Sequence, residues 1–390
     1  MRAHMTTIDL VYFDAGGGHR AAALALRTAL QTQHPTWTVR LVHLMHALDP
    51  QQRFTHLTGK MPEDLYNWRL ERGWTLGLGA ELRVMQTAIR ASHAWLLKAL
   101  RQHWADHLAP DLVVSLVPNF NRALRQSLQQ AHPHVPFVTV MTDMADLPPH
   151  FWIEPGLDAH LVCGTQRSVD QARAAGYADS VIHRTSGMII RPDFYQHSGR
   201  DRRKERVALG LDPDRPTGLV MFGGYGSSRM LRIAHALDDQ QLIFLCGHNQ
   251  ALAETLSQLE RSAPHAALGF TSEVGRMMRA ADYFIGKPGP GALSEALQCG
   301  LPVVTFRDAW TMPQERFNTQ WIEEQDVGAV VQSTRLLRPA VLSVIARLDK
   351  LADNVGRIRN RAIFEVPDIL FRILHQEEQA TQTLPEASFA

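Results

Sequence analysis

The chain has 390 residues, of which 45% are apolar and 20% charged, as in a globular protein large enough for two domains. Its formal net charge of +1 and its three widely separated cysteines argue against a nucleic-acid partner, a disulfide framework and a zinc site. We recognise neither a signal peptide nor an apolar run that could span a membrane, so we expect a cytoplasmic protein, free or peripherally attached to the inner face of the cell membrane.

The N-terminal region opens with a strand, a glycine-rich turn and a helix. Residues 8–13 have the apolar pattern of a buried strand, the residues up to His19 form the turn, and residues 20–30 form the helix. A second strand at 37–44 completes a βαβ unit, which predicts a parallel sheet with right-handed crossovers. The sheet is expected to continue with strands at 111–116, 137–142 and 159–163, with helices such as 121–130 and 168–175 between them.

His19 is the first candidate functional residue. The turn from Gly16 to Ala21 fits a loose dinucleotide-binding fingerprint, but that fingerprint needs an acid about 20 residues further on, and none occurs before Asp49. A nicotinamide or flavin cofactor is therefore not expected. A helix N-terminus disfavours imidazolium, so His19 should be neutral and able to accept a proton near pH 7. The alternative is that His19 only caps the helix.

Residues 51–107 interrupt the alternation of strands and helices. Between positions 65 and 104, basic residues outnumber acidic ones and are interleaved with tryptophan and leucine. This composition suits the headgroup layer of an anionic membrane, and a pair of packed helices with a solvated basic face explains it equally well. Residues 73–79 are expected to form a mobile apolar loop that could admit the acceptor. The residues concerned are Trp68, Trp74, Trp95, Trp104, Arg69, Arg72, Arg83, Arg90, Lys98 and Arg101, against Glu71 and Glu81.

Asp143 follows the buried strand at 137–142. An acid at the carboxyl end of a parallel strand faces the same crevice as His19, so we expect Asp143 either to orient His19 or to contact an acceptor. A helix or turn cap is the alternative.

A second α/β series follows a charged linker near residue 198. Its first strand, 217–222, leads into Gly223-Gly224-Tyr225-Gly226, a turn whose backbone N–H groups suit a phosphate. The turn lacks the Gly-Lys-Ser/Thr ending of a P-loop, so an ATPase has no support. Further strands are predicted at 241–246, 283–285 and 303–306, and helices at 204–209, from 229, from 250 and at 273–280.

A second glycine turn, Lys287-Pro288-Gly289-Pro290-Gly291, joins the strand at 283–285 to a helix at 292–299. Free backbone N–H groups and the positive end of the helix dipole meet there, which suits a diphosphate. We expect Glu295 in the first helical turn, where it would accept hydrogen bonds from ribose hydroxyls. An ordinary strand–turn–helix joint is the alternative.

The loop at 312–318 is expected to place Gln314, Glu315 and Asn318 where all three can face the same ligand. Amides and acids suit a sugar, because sugar hydroxyls need both donors and acceptors. A capped helix N-terminus is the alternative. Two Rossmann-like halves, two glycine turns in the second half and no cofactor acid in the first half together indicate a sugar-nucleotide enzyme.

With these motifs in this order, the chain resembles the GT-B glycosyltransferases of family 28, in the branch of the monogalactosyldiacylglycerol synthases and processive diacylglycerol glucosyltransferases. The resemblance covers about residues 8–375. Its motifs are Ala15-Gly16-Gly17-Gly18-His19-Arg20-Ala21, residues 137–143, Met221-Phe222-Gly223-Gly224-Tyr225-Gly226, Cys246-Gly247-His248-Asn249, Gly269-Phe270, Lys287-Pro288-Gly289-Pro290-Gly291, Ser294-Glu295-Ala296-Leu297, and Pro313-Gln314-Glu315 with Asn318.

The resemblance implies an α/β fold of two Rossmann-like domains that face each other across a cleft. The acceptor-binding domain would be 6–197, with 51–107 as a membrane or acceptor segment, and the UDP-sugar-binding domain would be 198–360. A helix from 355 to 374 would cross back to the first domain, and the segment assigned to this C-terminal helix in the domain division would be 361–378.

The resemblance also implies inverting transfer from a UDP-sugar to a hydroxyl acceptor without a metal. Together with the composition of residues 65–104, it leads us to expect transfer of a hexose to a lipid hydroxyl, such as that of diacylglycerol, at an anionic membrane surface, and no other cofactor. His19 would be the base, Asp143 a second catalytic candidate, and Gly17 and Gly18 would lie on the acceptor side. The donor residues would be Gly223, Gly224, Tyr225, Gly226, Gly289, Pro290 and Gly291 around the diphosphate, Phe270 near the uracil, Glu295 at the ribose, and Gln314, Glu315 and Asn318 at the sugar.

Three departures from the family's pattern leave the sugar and the acceptor open. The first glycine turn of the second half ends in Ser227-Ser228, Lys287-Pro288 replaces Lys-Ala, and residues 117–121 lack the usual histidine. A glycosyltransferase with another acceptor and a UDP-N-acetylglucosamine 2-epimerase, which needs no acceptor, are the alternatives. A non-catalytic sugar-nucleotide-binding protein is a third.

Overall fold

The structure is a computed structural model that describes residues 5–14, 17–51, 78–196 and 201–382. The chain divides into two compact units. Unit 1 contains the described residues before 52, Glu81–Ile189 and the chain from Arg361 onward, and unit 2 is built on Ile190–Asn360.

Unit 1 contains a six-stranded sheet in which all pairs are parallel. Parallel strands covered on both faces are continuous apolar runs, which is why the sequence pattern locates most of them. The sixth strand was not predicted, because it is short and carries a histidine and an arginine. The strands are β1 (Thr7–Tyr12), β2 (Thr38–His43), β3 (Leu112–Ser115), β4 (Phe137–Val140), β5 (His160–Cys163) and β6 (Ile182–Arg184), in the order β2-β1-β3-β4-β5-β6.

Unit 2 contains a second parallel six-stranded sheet. Its order corresponds to the 3-2-1-4-5-6 arrangement of a Rossmann fold, with the change of direction between the first and fourth strands of the unit. The strands are β7 (Thr217–Met221), β8 (Gln241–Leu245), β9 (His265–Leu268), β10 (Tyr283–Gly286), β11 (Val303–Phe306) and β12 (Gly328–Val331), in the order β12-β11-β10-β7-β8-β9.

Helices connect the strands of both units. Those of unit 1 are α1 (Gly18–Gln33), α2 (Leu44–Leu48), α3 (Leu78–Ala91), α4 (His93–Asp106), α5 (Asn121–Ala131) and α6 (Gln166–Ala174). Those of unit 2 are α7 (Arg202–Ala208), α8 (Arg229–Ala236), α9 (Gln250–Ser257), α10 (Val274–Ala280), α11 (Pro290–Gln298), α12 (Arg316–Glu324), α13 (Leu337–Ile345) and α14 (Leu348–Arg357). One more helix, α15 (Ala362–Gln382), follows α14 at the end of the described residues.

The C-terminal helix α15 belongs to unit 1. Its residues Val366, Leu370 and Ile373 are buried in one cluster with Ile8 of β1 and Leu26 of α1. The prediction of a single helical pattern from 355 to 374 is wrong. The helix α14 ends one residue after Gly356, a poor helix former, and Ile358 is extended, so the chain breaks before α15 begins.

Candidate functional site

The turn after β1 lies at the point where the strand order of unit 1 changes direction. The first crossover leads from β1 to β2 on one side, whereas β3 pairs with β1 on the other side. Open α/β sheets bind ligands at such points, outside the carboxyl ends of the strands. Gly17 is the N-cap of α1, with a φ of 76°, and Gly18 and His19 form the start of the helix. The candidate base and both acceptor-side glycines are therefore at the ligand-binding end of the sheet.

The His19 ring is enclosed by one hydroxyl and two aromatic rings. Thr142 Oγ1 lies 2.9 Å from His19 Nδ1. The Phe13 ring stacks on the imidazole with centroids 4.7 Å apart, and the Trp152 ring lies 5.8 Å away. Burial lowers the pKa of His19 to about 4, although a hydrogen bond to the Leu116 backbone acts in the opposite direction. The imidazole is therefore neutral near pH 7 and retains a lone pair that can accept a proton.

Asp143 is buried and accepts a hydrogen bond from Trp152 Nε1 at 2.9 Å. Trp152 is held in turn by Asp146, whose Oδ1 accepts a 2.6 Å hydrogen bond from the Trp152 backbone N–H. Asp143 thus fixes one of the rings beside His19, and its catalytic role stays a prediction. Sequence reasoning missed Thr142, the side chain that reaches the imidazole. Thr142 could have been found from its position, because it directly precedes Asp143 in the sequence. The prediction for this stretch concerned only Asp143.

The two glycine turns of unit 2 follow β7 and β10, which are neighbours at the change of direction in the second sheet. In the first turn, Gly223 and Gly226 have φ angles of 77° and 61°. A neighbouring turn after β8 packs directly on it, because the His248 backbone N–H donates to Gly224 O at 2.7 Å. A Cβ on Gly247 would come within 2.0 Å of Gly224 O, so only glycine fits there.

Three aromatic rings line the outer side of these turns. Phe270 is 67% exposed and Tyr225 is 45% exposed. The His248 ring stacks on Phe270, with centroids 4.4 Å apart and an interplanar angle of 18°, and its centroid is 5.8 Å from that of Tyr225. Exposed, stacked rings of this kind suit a flat base. His248 had no role in the sequence analysis, although its motif was recognised.

The helix α11, which follows the second glycine turn, begins two residues earlier than predicted. The helix begins at Pro290, with Gly289 as its N-cap, and Pro at the first helical position is favoured because its missing N–H would have no partner there. Glu295 is therefore in the second helical turn, and its predicted place in the first turn is wrong. Gly291 is exposed, and a Cβ there would meet nothing within 4 Å.

Glu295 is half-buried, and burial raises its pKa to about 7. Arg191 lowers this pKa and Asp193 raises it, both by their charges. A carboxyl group poised to ionise near neutral pH is a common feature of functional sites.

Gln314, Glu315 and Asn318 are all buried, and they lie on a short 3-10 turn (Pro313–Glu315) and the start of α12. Asn318 Nδ2 donates to Pro288 O at 2.7 Å, which ties this loop to the second glycine turn. Within the described residues, Gln314 Oε1 and Asn318 Oδ1 have no hydrogen-bond partner. Gln314 and Glu315 do open this helical stretch, and Glu315 is the N-cap residue of α12, but neither the 3-10 turn nor α12 has a side-chain cap hydrogen bond. Buried acceptors without partners are costly, and donor groups of a ligand would satisfy them.

The described part of the basic segment forms α3 and α4, and one face of these helices is core. Leu82, Leu96, Leu100 and Trp104 are buried, and Trp104 Nε1 donates to Ser127 Oγ of α5 at 3.0 Å. Trp104 is therefore not available to a membrane, contrary to its inclusion among the candidate membrane residues. Trp68, Trp74, Arg69, Arg72, Glu71 and most of the loop 73–79 lie outside the described residues.

The exposed surface of α3 and α4 includes both apolar and basic side chains. Its apolar members are Val84, Met85 and Trp95, which is 56% exposed. The buried residues agree with the interpretation as a pair of packed helices, and the membrane role stays a prediction. The exposed basic residues are Arg83, Arg90, Lys98 and Arg101.

Among the helices of the ranges given above, none has the length and apolar character needed to cross a bilayer. In the same ranges, no three His, Cys, Asp or Glu side chains are grouped so that they could hold a metal ion.

The chain was compared with known proteins. The model of the glycosyltransferase family 28 C-terminal domain matches residues 227–369. A probable chloroplastic monogalactosyldiacylglycerol synthase 2 of Oryza sativa subsp. japonica is 30% identical over 350 residues, covering 83% of this chain and 70% of the rice protein.

Two solved structures share the fold. MurG of Acinetobacter baumannii has a TM-score of 0.57 and 13% identity, covering 94% of this chain and 99% of MurG. HepE of Anabaena, solved in complex with UDP-glucose, has a TM-score of 0.50 and 15% identity, covering 97% of this chain and 100% of HepE. At these identities the similarity concerns the fold alone.

Proposed function

Because this chain belongs to the glycosyltransferases of family 28 and has their GT-B fold, we propose that it transfers a hexose from a UDP-sugar to a lipid hydroxyl, such as that of diacylglycerol, with inversion at the anomeric carbon. The rice relative supports a lipid acceptor, and the UDP-glucose in HepE supports the donor class. One observation carries the proposal most. Beside two glycine turns at the change of direction of the second sheet, two buried acceptors, Gln314 Oε1 and Asn318 Oδ1, have no partner among the described residues.

Unit 2 would hold the donor. The backbone N–H groups of the Gly223–Gly226 turn and the N-terminus of α11 at Gly289, Pro290 and Gly291 would bind the diphosphate. The exposed Phe270 ring, with His248 stacked on it, would take the uracil. Glu295 would accept hydrogen bonds from the ribose, and Gln314, Glu315 and Asn318 would bind the sugar hydroxyls.

Unit 1 would supply the base. The neutral His19 takes the proton of the acceptor hydroxyl as the acceptor oxygen attacks the anomeric carbon, and the bond from that carbon to the diphosphate breaks. The electron pair leaves with UDP, whose charge is stabilised by backbone donors and the helix dipole in place of a metal. A single in-line displacement of this kind inverts the anomeric centre.

The exposed face of α3 and α4 would bring the enzyme to its acceptor. Trp95, Val84 and Met85 would enter the interface of an anionic membrane, while Arg83 and Arg90 would contact lipid headgroups. The localisation that we propose is peripheral, on the cytosolic face.

The test is incubation of the enzyme with a panel of UDP-sugars and with diacylglycerol in vesicles, with and without a chelator. We expect UDP release that requires the lipid, a glycolipid of inverted configuration by NMR, and the same rate in the chelator. Conversion of the sugar nucleotide without any acceptor would instead support the epimerase alternative. Failure of every donor to yield a glycolipid would reject the proposed function.

A further inference from the structure

The side chain of Lys287 spans the two glycine turns of unit 2. Lys287 directly follows β10, beside β7. A Cβ on Gly223 would lie 3.7 Å from Lys287 Cε, and one on Gly289 would lie 3.4 Å from the same atom. The end of the lysine stem therefore lies close to a glycine of each turn, and its ammonium group is placed at the surface that would hold the diphosphate.

The same ammonium group faces a buried carboxylate. Lys287 Nζ lies 3.4 Å from Glu315 Oε1, and the Glu315 side chain is only 6% exposed, against 36% for Lys287. This distance exceeds the 2.7–2.9 Å that is typical of a charge-assisted N–H···O hydrogen bond. The Glu315 oxygen is also 3.4 Å from where a Cβ on Gly289 would be. Cation, carboxylate and glycine turn thus meet at one point.

We infer that the Lys287–Glu315 ion pair is exchanged when the donor binds: Lys287 turns to the diphosphate, and a sugar hydroxyl takes its place at Glu315. The inference rests on the proposed function, which it deepens. Lysine suits such an exchange because it is a point charge on a flexible stem, with three rotatable donors. A buried carboxylate is costly without a partner, so Lys287 leaves it readily only if a ligand hydroxyl replaces it.

This exchange distinguishes the donor from the product. A UDP-sugar supplies both the diphosphate for Lys287 and the hydroxyl for Glu315. After transfer, UDP offers only the diphosphate, so Glu315 competes with UDP for Lys287 and favours its release. The charge of Glu315 therefore strengthens binding of the UDP-sugar and weakens binding of UDP.

Calorimetry with UDP, the UDP-sugar that the enzyme uses, and uridine tests this exchange. We expect Glu315→Gln to tighten UDP binding several-fold and to weaken UDP-sugar binding about tenfold, because the amide frees Lys287 but binds the sugar less well. Lys287→Met should weaken UDP binding about tenfold and leave uridine binding unchanged. Lys350→Met is the matched control, since Lys350 forms an exposed 2.7 Å pair with Asp326 in the same unit, and it should change no affinity.

The outcomes separate the two proposals. If Glu315→Gln leaves UDP affinity unchanged or lowers it, the exchange is overturned. It is also overturned if Lys287→Met weakens uridine as much as UDP, or behaves like Lys350→Met. Lys287→Arg keeps the positive charge and should retain more UDP affinity than Lys287→Met. The comparison of these two variants distinguishes the loss of the charge from a folding defect. A wild-type enzyme that binds no UDP at all would reject the proposed function, and the exchange with it.

Discussion

The Thr142 hydroxyl and the His19 imidazole meet at 2.9 Å, although the two residues are 123 positions apart in the chain. A neutral imidazole has one N–H and one lone pair, and a hydroxyl can serve either. Thr142 therefore helps to set which ring nitrogen carries the proton, and with Phe13 and Trp152 it fixes the plane of the ring. Orientation of this kind holds the lone pair of a neutral histidine in one direction for proton transfer.

Replacing His19 with Gln should remove the base and leave the donor site intact. We expect kcat to fall at least about a hundredfold, the usual scale for a general base. The affinity for the UDP-sugar should stay within about twofold of wild type by calorimetry, because the proposed donor residues belong to unit 2. A kcat within about threefold of wild type would show that another group takes the proton.

Thr142→Val is nearly isosteric and removes the hydrogen bond to His19. The loss of one such bond, about 1 kcal/mol, corresponds to a fall of about fivefold in kcat, with little change in KM for the donor. Thr142→Ser keeps the hydroxyl and should restore most of the rate. Equal rates for the Val and Ser variants would mean that Thr142 does not orient the base.

Glu295 should make donor binding depend on pH. Its raised pKa of about 7 means that the free protein gains a proton there as the pH falls from 8 to 6. The ribose hydroxyls are bound best by the ionised carboxylate, so the affinity for a UDP-sugar should fall over this range. The diphosphate of a UDP-sugar does not titrate there, which makes it a better probe than UDP.

Glu295→Gln provides the control and should give a flat pH profile. Glu295→Ala should weaken UDP binding by roughly 1–3 kcal/mol at pH 8, the scale of a charge-assisted hydrogen bond. A wild-type affinity that does not change between pH 8 and 6, or a Gln variant with the same slope, would contradict the ribose role.

Trp95 should contribute to membrane attachment. Co-sedimentation with vesicles that contain an anionic lipid should exceed that with neutral vesicles, and Trp95→Ala should reduce it several-fold, because an exposed aromatic ring is lost from the interface. Trp310→Ala is the matched control, since Trp310 is 44% exposed in unit 2. Equal sedimentation with both kinds of vesicle would remove the membrane proposal.

Unit 1 should lose stability in mild acid. Burial lowers the pKa of His19, His103 and His183 to about 4 each. Histidines in the unfolded chain take up protons near pH 6.5, so the free energy of unfolding falls as the pH drops from 6.5 towards 4. The urea midpoint should follow this trend, and His183→Gln should reduce its slope. A midpoint that is the same at pH 7 and 5 would contradict this assignment.

The sequence was sufficient for most of the strands and for the two glycine turns of unit 2. Buried parallel strands are apolar runs, and the runs of β7 and β10 each lead into a glycine turn. The start of α11 was missed although a local rule was available, because Pro290 favours the first helical position.

Other features could not be read from local sequence. No sequence pattern predicts the contact of Thr142 with His19 or that of Lys287 with Glu315. These contacts arise only when distant strand ends meet at one edge of a sheet. Gln314 and Asn318 are buried, and their side-chain oxygens have no partner in the part of the chain that the structure describes, which is likewise a property of packing. From the sequence, these residues could be assigned to a sugar only because their amide groups suit sugar hydroxyls.

The helix α15 gives the chain an unusual order of assembly. Leu370 and Ile373 cover Ile8 and Leu26, yet they are translated after all of unit 2. Synthesis proceeds at roughly 5–20 residues per second. While unit 2 is being synthesised, the first sheet of the nascent chain has an apolar strip that α15 does not yet cover. A holding chaperone on the ribosome can bind such a strip. A lesion in the codons of α15 would therefore damage the part of the protein that was made first.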